Sequence, residues 1–337
     1  MTEAAPGREE SRLGTGLRAG IIGARRVAQG LGPFIARDLA AAGIQIAAVL
    51  GRTPETAAEA ASAVAAASGG VPPLAASDGN AFFAAGLDLV CVLSPAGTHG
   101  EWVDAALRHG CHVLAEKPFL WFPEPDWSSR AAALETRFAE KGLVLAVNAQ
   151  WPWTLPSLEE ALGRSIRGTR KLAMGMQPAS SGLRMIGDAA PHPLSVAQAL
   201  VPGLTDFAEL QVTLPSDGEI VVSGVLAGET AALEIEMHLD GRPLVSSDGT
   251  PAGPRSAWIA LDDDRVDRCI RPRDYALFFR RGSGLFDLPD PLGLRLTAFV
   301  EAVLGARQSA GALEPDRTIS RRAAMLESIA AAFGHCE

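Results

Sequence analysis

Between residues 18 and 147 the chain repeats one pattern: a short run apolar on both faces, then a segment that reads as helix. The runs are 18–22 (RAGII), 44–50 (IQIAAVL), 87–93 (LDLVCVL), 111–116 (CHVLAE) and 143–147 (LVLAV). Helical segments at 30–42, 54–67, 99–109 and 127–141 separate them. A strand apolar on both faces must be covered on both, and helices in alternation supply that cover. The pattern predicts a doubly wound parallel sheet, an α/β domain. Thr53 ahead of Pro54 predicts a capped helix start. Gly69-Gly70 and Gly110 sit where helices stop.

Near residue 150 the pattern changes. QWPWTLP (150–156) is rich in proline and aromatic residues. Helices are expected at 157–163 and 193–201, and strands at 168–176, 207–214, 218–226, 231–238, 256–262 and 275–280. SDGE, LDGR and SDGT are turn signals between them. This reads as a largely antiparallel sheet, closed by helices at 291–307 and 318–333. The expected division is a loose polar tail (1–17), a parallel-sheet domain (18–148) and an antiparallel-sheet domain (149–337).

Composition narrows the partners. A net charge of −9 argues against a general nucleic-acid surface. Cys91, Cys111, Cys269 and Cys336 are scattered without metal-ligand spacing, so no zinc site is expected. The start of the chain lacks a basic-then-apolar leader, and no window reaches the ~18 apolar residues of a membrane span. The reading is a cytoplasmic protein, and the charge says little about small substrates.

The stretch AGIIGARRVA (19–28) tests nucleotide binding. A dinucleotide turn wants one glycine for the tight turn, a second for approach to the pyrophosphate, and a third for helix packing. Gly23 fills the first place and Ala28 the third. Arg25, with Arg26 beside it, stands at the second. Arg25 either crowds the phosphates or offers them charge. After the second strand, GRT (51–53) has no acid for ribose hydroxyls. Arg52 there suits a 2′-phosphate, which favours NADP over NAD.

CHVLAEKP (111–118) follows the turn S-P-x-x-x-H (Ser94, Pro95, His99), and MIGDAAPHPLS (185–195) carries D-x-x-x-H. In this order the motifs resemble the glucose-fructose oxidoreductase / inositol dehydrogenase / rhizopine catabolism family, Gfo/Idh/MocA. The resemblance implies a Rossmann domain followed by an α/β domain with an open, mostly antiparallel sheet. The outer face of that sheet commonly joins subunits, here as a homodimer or homotetramer. It implies tightly held NAD or NADP and hydride transfer at a carbon bearing a hydroxyl, often on a sugar or cyclitol. By resemblance Lys117 lies beside the nicotinamide and the reacting oxygen. It either holds that oxygen or transfers the proton. His192 is the expected acid/base. Asp188, four residues earlier, orients it, binds a hydroxyl or caps the next helix. Glu116 shapes the site. Ser94, Pro95, Thr53 and His99 are expected near the cofactor, His99 alternatively as a helix cap. The Lys117–Pro118 bond is often cis in the family.

Several positions depart from the pattern. Arg25 replaces a glycine, Ala96 an asparagine near the nicotinamide, and Ser195 an aspartate. The segment Asn148-Ala149-Gln150-Trp151-Pro152-Trp153 lacks the usual arginine. Asn148, Trp151 and Trp153 are candidate substrate contacts, and the tryptophans suggest a flatter, more apolar wall. Trp121 and Phe122 are nearby in sequence, and all these aromatics have interdomain packing as an alternative role. Two other readings stand beside the oxidoreductase: a redox-inactive binding or regulatory protein, and a non-redox or glycoside-cleaving enzyme on the same fold.

Overall fold

The computed structural model describes residues 16–24, 30–122, 126–241, 256–271, 273, 276–306 and 317–336. The tail expected at 1–17 therefore falls almost wholly outside the described residues, as do Arg25, Arg26 and Ala28.

The first sheet has six strands: β1 (Arg18–Ile22), β2 (Gln45–Leu50), β3 (Leu74–Ala76), β4 (Leu89–Val92), β5 (His112–Ala115) and β6 (Leu145–Val147). Their order is β3-β2-β1-β4-β5-β6, with β1 parallel to both β2 and β4. The order reverses direction at β1 and β4, the point at which such sheets bind ligands beyond their C-terminal ends. The central strands are buried on both faces, as their apolar runs required: Ile21, Leu89 and Leu114 have no exposed surface. Each such side chain contributes about 1.5–3 kcal/mol.

Helices α1 (Gly32–Ala41), α2 (Pro54–Ser68), α3 (Gly79–Phe83), α4 (His99–Arg108) and α5 (Trp127–Glu140) accompany these strands. Thr53 caps α2 through a reciprocal box with Thr56, and Gly69 ends it in the left-handed conformation. Strand β3 and helix α3 were not foreseen, being too short to show a period.

The second sheet has eight strands. They are β7 (Lys171–Met176), β8 (Leu204–Thr213), β9 (Glu219–Gly228), β10 (Ala232–Asp240), β11 (Ala257–Leu261), β12 (Asp264–Ile270), β13 (Leu277–Arg281) and β14 (Gly284–Leu288). The order is β14-β13-β12-β11-β7-β10-β9-β8, antiparallel except where β10 runs parallel to β7. Strands β12 and β14 were not foreseen, because charged residues interrupt their apolar alternation.

Alternation gives this sheet two unlike faces. Leu233, Ile235, Met237 and Leu239 of β10 are buried beside Leu172 and Met174 of β7. Helices α8 (Pro191–Leu200) and α10 (Thr318–Gly334) pack against this sheet, and α6 (Leu155–Leu162) packs at the β13–β14 end. The other face is polar and half-exposed. There Glu236 bridges Lys171 (3.1 Å) and His238 (2.6 Å), and the Trp258 ring fills the space a side chain at Gly175 would need. Helices α7 (Leu183–Ala189) and α9 (Pro291–Ala306) complete the elements.

The chain forms two compact units that a single cut does not separate. One holds the described residues up to Glu116, Arg137–Ala146, and α9 from Leu296. The other holds Lys117–Thr136, Val147–Arg295 and the described residues from Arg317 onward. The chain thus passes from one unit to the other at the Glu116–Lys117 bond.

Candidate active site

In the first unit, the ends of β1, β2 and β4 gather the expected cofactor residues. Gly23 follows β1 with φ +77°, and a Cβ there would lie 2.8 Å from the main-chain nitrogen of Ser94. Only glycine tolerates both the conformation and the approach. The close helix–strand approach falls at Gly32, where a Cβ would lie 2.0 Å from the Ala24 carbonyl oxygen. Gly32 thus packs directly on the main chain that follows β1, while Ala28 lies outside the described residues.

The S-P-x-x-x-H turn closes on itself. His99 Nε2 lies 2.7 Å from the Ser94 carbonyl oxygen, and the Ser94 and Thr98 hydroxyls are 2.7 Å apart. Thr98 also donates to the carbonyl of Pro95. His99 is fully buried and holds the turn that presents Ser94. Arg52 is exposed at the end of β2 and has no hydrogen-bond or ion-pair partner among the described residues. Glu116 continues β5, its amide donating to the Val92 carbonyl.

The second unit gathers Lys117, Asp188 and His192. Lys117 donates from Nζ to the main-chain oxygen of Asp188 at 2.6 Å, and the Lys117–Pro118 bond is cis. The Asp188 carboxylate takes a hydrogen bond from Ser180 Oγ. It thus faces Ser180 rather than the imidazole, and α8 has no side-chain cap from it. Ala190 joins α7 to α8 with helical angles, so the backbone turns on from Asp188 to His192 as a helix would. Gly187, inside α7, is where Trp121 packs: a Cβ there would lie 2.8 Å from the indole. Trp121 stacks on Trp127 at 4.7 Å, and Phe122 meets both edge-on. These aromatics brace the α7 segment within one unit.

His192 is the pivot. Its Nδ1 is buried without a hydrogen-bond partner. Burial, and then the positive charges of Lys117, Arg268 and Arg322, hold its pKa well below the ordinary 6.5. The imidazole is neutral at pH 7 and can accept or pass a proton. Trp151, buried in a 3-10 turn (Trp151–Thr154), places its ring 6.5 Å from the imidazole. On Trp151 lies the guanidinium of Arg268, 5.1 Å from the ring centroid. Trp153 is half-buried, with no ring contact to His192 among the described residues. Asn148 is buried just after β6, whose last carbonyl, that of Val147, accepts two bonds from Arg295. Ser195 donates to the His192 carbonyl. A small cavity beside Lys117 is lined also by Pro118, Val147, Pro191 and Arg322.

Arg268, Arg295 and Arg322 were missed by sequence reasoning. Arg268 left one signal: it stands at period two between Val266 and Ile270, the phase of an inward position. No helix among those described is long and apolar enough to cross a membrane.

A 3-2-1-4-5-6 parallel sheet with a glycine turn at its switch point defines a dinucleotide-binding domain. Residues 17–149 match the model of the GFO_IDH_MocA family, oxidoreductases with an NAD-binding Rossmann fold. dTDP-3,4-didehydro-2,6-dideoxy-alpha-D-glucose 3-reductase from Actinomadura kijaniata is 47% identical over 62 residues, 18% of this chain. The match spans 17% of that relative's length. UDP-N-acetylglucosamine 3-dehydrogenase from Acidithiobacillus ferrooxidans shares the fold at 20% identity and a TM-score of 0.66, over 94% of this chain and 97% of that one. A 3-ketoreductase from Actinomadura kijaniata, crystallised with TDP-benzene and NADP, shares it at 19% identity and 0.62, over 93% and 96%.

Proposed function

We propose that the chain is an NADP-preferring oxidoreductase acting on a hydroxyl or carbonyl carbon of a small molecule, a sugar or sugar nucleotide. One observation carries this reading: Lys117 is held by the Asp188 carbonyl, in the same cluster as a neutral His192. The family over residues 17–149 supplies the cofactor class, and the sugar substrates named for the relatives support the substrate class.

The first unit fits a dinucleotide. Gly23 and Ser94 leave only main chain where β1 and β4 end. Gly23, Ser94, Pro95 and Thr53 would hold the dinucleotide, and Arg52 a 2′-phosphate. His99 acts through Ser94 as a positioning residue, and Glu116 shapes the end of β5. The bound nicotinamide supplies the hydride acceptor or donor.

The chain's own residues handle the proton and the charge. Among the described residues Lys117 makes one bond with its three donors, to Asp188, and the others can hold the reacting oxygen. His192 takes the hydroxyl proton at its neutral ring, and charge that develops on the oxygen is stabilised by the ammonium. Asp188 positions both through its main chain and its bond to Ser180. Trp151 forms the apolar wall, with Asn148 and Trp153 as further substrate contacts. The half-exposed polar face of the second sheet pairs with a second copy of the chain, in a homodimer or homotetramer. The four free cysteines suit a cytoplasmic site.

The test is a fluorescence titration with NADPH and with NADH, followed by oxidation of NADPH in the presence of keto-sugars. Six tryptophans supply energy-transfer donors. Tight NADPH binding with turnover supports the reading, and failure to bind either nucleotide overturns it. Light scattering on the same sample tests the assembly, and a monomer overturns that part.

A further inference from the structure

The register of the second sheet turns one cation inward. Arg268 on β12 pairs across the ladder with Ala257 of β11 and Phe279 of β13. It shares its face with Val266, Ile259 and Phe279, all buried. Its sequence neighbour Asp267 points to the opposite face, where Arg265 and Arg280 take its two oxygens at 3.1 and 3.0 Å. Among the described residues no carboxylate pairs with Arg268; its guanidinium lies over the Trp151 ring, 5.1 Å from the centroid.

An arginine on the apolar face of a sheet costs stability unless an anion meets it. Here burial is the only influence on the guanidinium, and it lowers the ordinary value. The Trp151 ring meets the cation without neutralising it, leaving the planar fork available for a bidentate oxyanion. The neighbours deepen the excess of charge. Lys117, Arg268 and Arg322 all act as positive charges on His192. The Asp188 carboxylate is engaged by Ser180.

We propose that Arg268, seated on Trp151, is the recognition residue for an oxyanion group of the substrate, a carboxylate or a phosphoryl group. The substrate class narrows from a sugar or sugar nucleotide to a sugar that carries an oxyanion at Arg268, a uronate or sugar phosphate. The reading rests on the oxidoreductase assignment for its chemistry, but not for its binding. A planar guanidinium selects such a group by two parallel hydrogen bonds, which a lysine at 268 could not reproduce. The tryptophan wall then receives the apolar face of the ring, and the anion fixes which carbon is offered to Lys117 and His192.

The experiment is calorimetric titration of the full chain, with and without NADPH, using D-glucuronate, D-glucose 6-phosphate and neutral D-glucose. Wild type should bind one of the two anions at least tenfold more tightly than glucose. D-Glucuronate alone assigns a carboxylate, and the phosphate ester alone a phosphoryl group. Arg268→Met should abolish the preference while its Tm stays equal or rises, and Arg268→Lys should weaken it about tenfold. Equal binding of both anions by wild type and Arg268→Met, or no preference for either anion over glucose in wild type, overturns the proposal. Because the titration reads no turnover, a protein without redox activity can still show the subsite. Turnover of a neutral sugar, unaffected by Arg268→Met, overturns the subsite and leaves the oxidoreductase reading intact.

Discussion

The Lys117 ammonium lies 2.6 Å from the main-chain oxygen of Asp188, across seventy-one residues of sequence. The aspartate's contribution to the lysine is its backbone, and its carboxylate is engaged by Ser180. The motif D-x-x-x-H thus serves Lys117 through the course of the chain at α7 as much as through its side chains.

Lys117→Ala should lower kcat by about 10²–10⁴-fold with the Kd for NADPH within a few-fold of wild type. Lys117→Arg separates two roles. A guanidinium holds charge but does not give up its proton, so partial activity means electrostatic holding and none means proton transfer. Stopped-flow oxidation of NADPH with a keto-sugar reads both, and unchanged turnover in the alanine variant removes Lys117 from the mechanism.

Arg52→Asp should weaken NADPH far more than NADH. One charge-assisted pair is worth about 1.5–3 kcal/mol, about tenfold to a hundredfold in Kd. Parallel titrations with the two nucleotides check it, and equal weakening of both rejects the 2′-phosphate assignment.

His192 makes stability depend on pH. In the folded chain its imidazole stays neutral well below 6.5, while in the unfolded chain it takes a proton as pH falls through 6.5. Below that value the unfolded state binds more protons, so stability falls with pH, and above it this contribution is level. Urea denaturation between pH 8 and pH 5 should show a shallower decline for His192→Gln than for wild type. Identical slopes would place the imidazole in an ordinary environment.

Gly32→Ala inverts a familiar sign. Alanine in a helix ordinarily gains about 0.5–1 kcal/mol over glycine. At Gly32 the new Cβ would lie 2.0 Å from the Ala24 carbonyl, so α1 or the turn must shift. We expect a loss of about 1–3 kcal/mol, typical of overpacking, and weaker NADPH binding. Equilibrium denaturation and the nucleotide titration measure the two effects.

The sequence by itself determined the parallel sheet. Residue periodicity, the Thr53 cap, Gly69 and the Glu-Lys-Pro that follows β5 are local signals, and local physics reads them without knowing the rest of the chain. It also placed Lys117, Asp188 and His192 on one candidate list, through spacing and resemblance. The tertiary structure decided what each touches there. That Lys117 meets a carbonyl of Asp188 and that Trp121 seats on Gly187 both depend on distant segments meeting. Arg268 shows the reason most plainly. Its local sequence, DRVDRCI, reads as a charged run, and only pairing of β12 with β11 and β13 fixes the face on which its cation lies. A strand's register is a relation between segments, so the burial of its alternate residues is settled only when the sheet assembles.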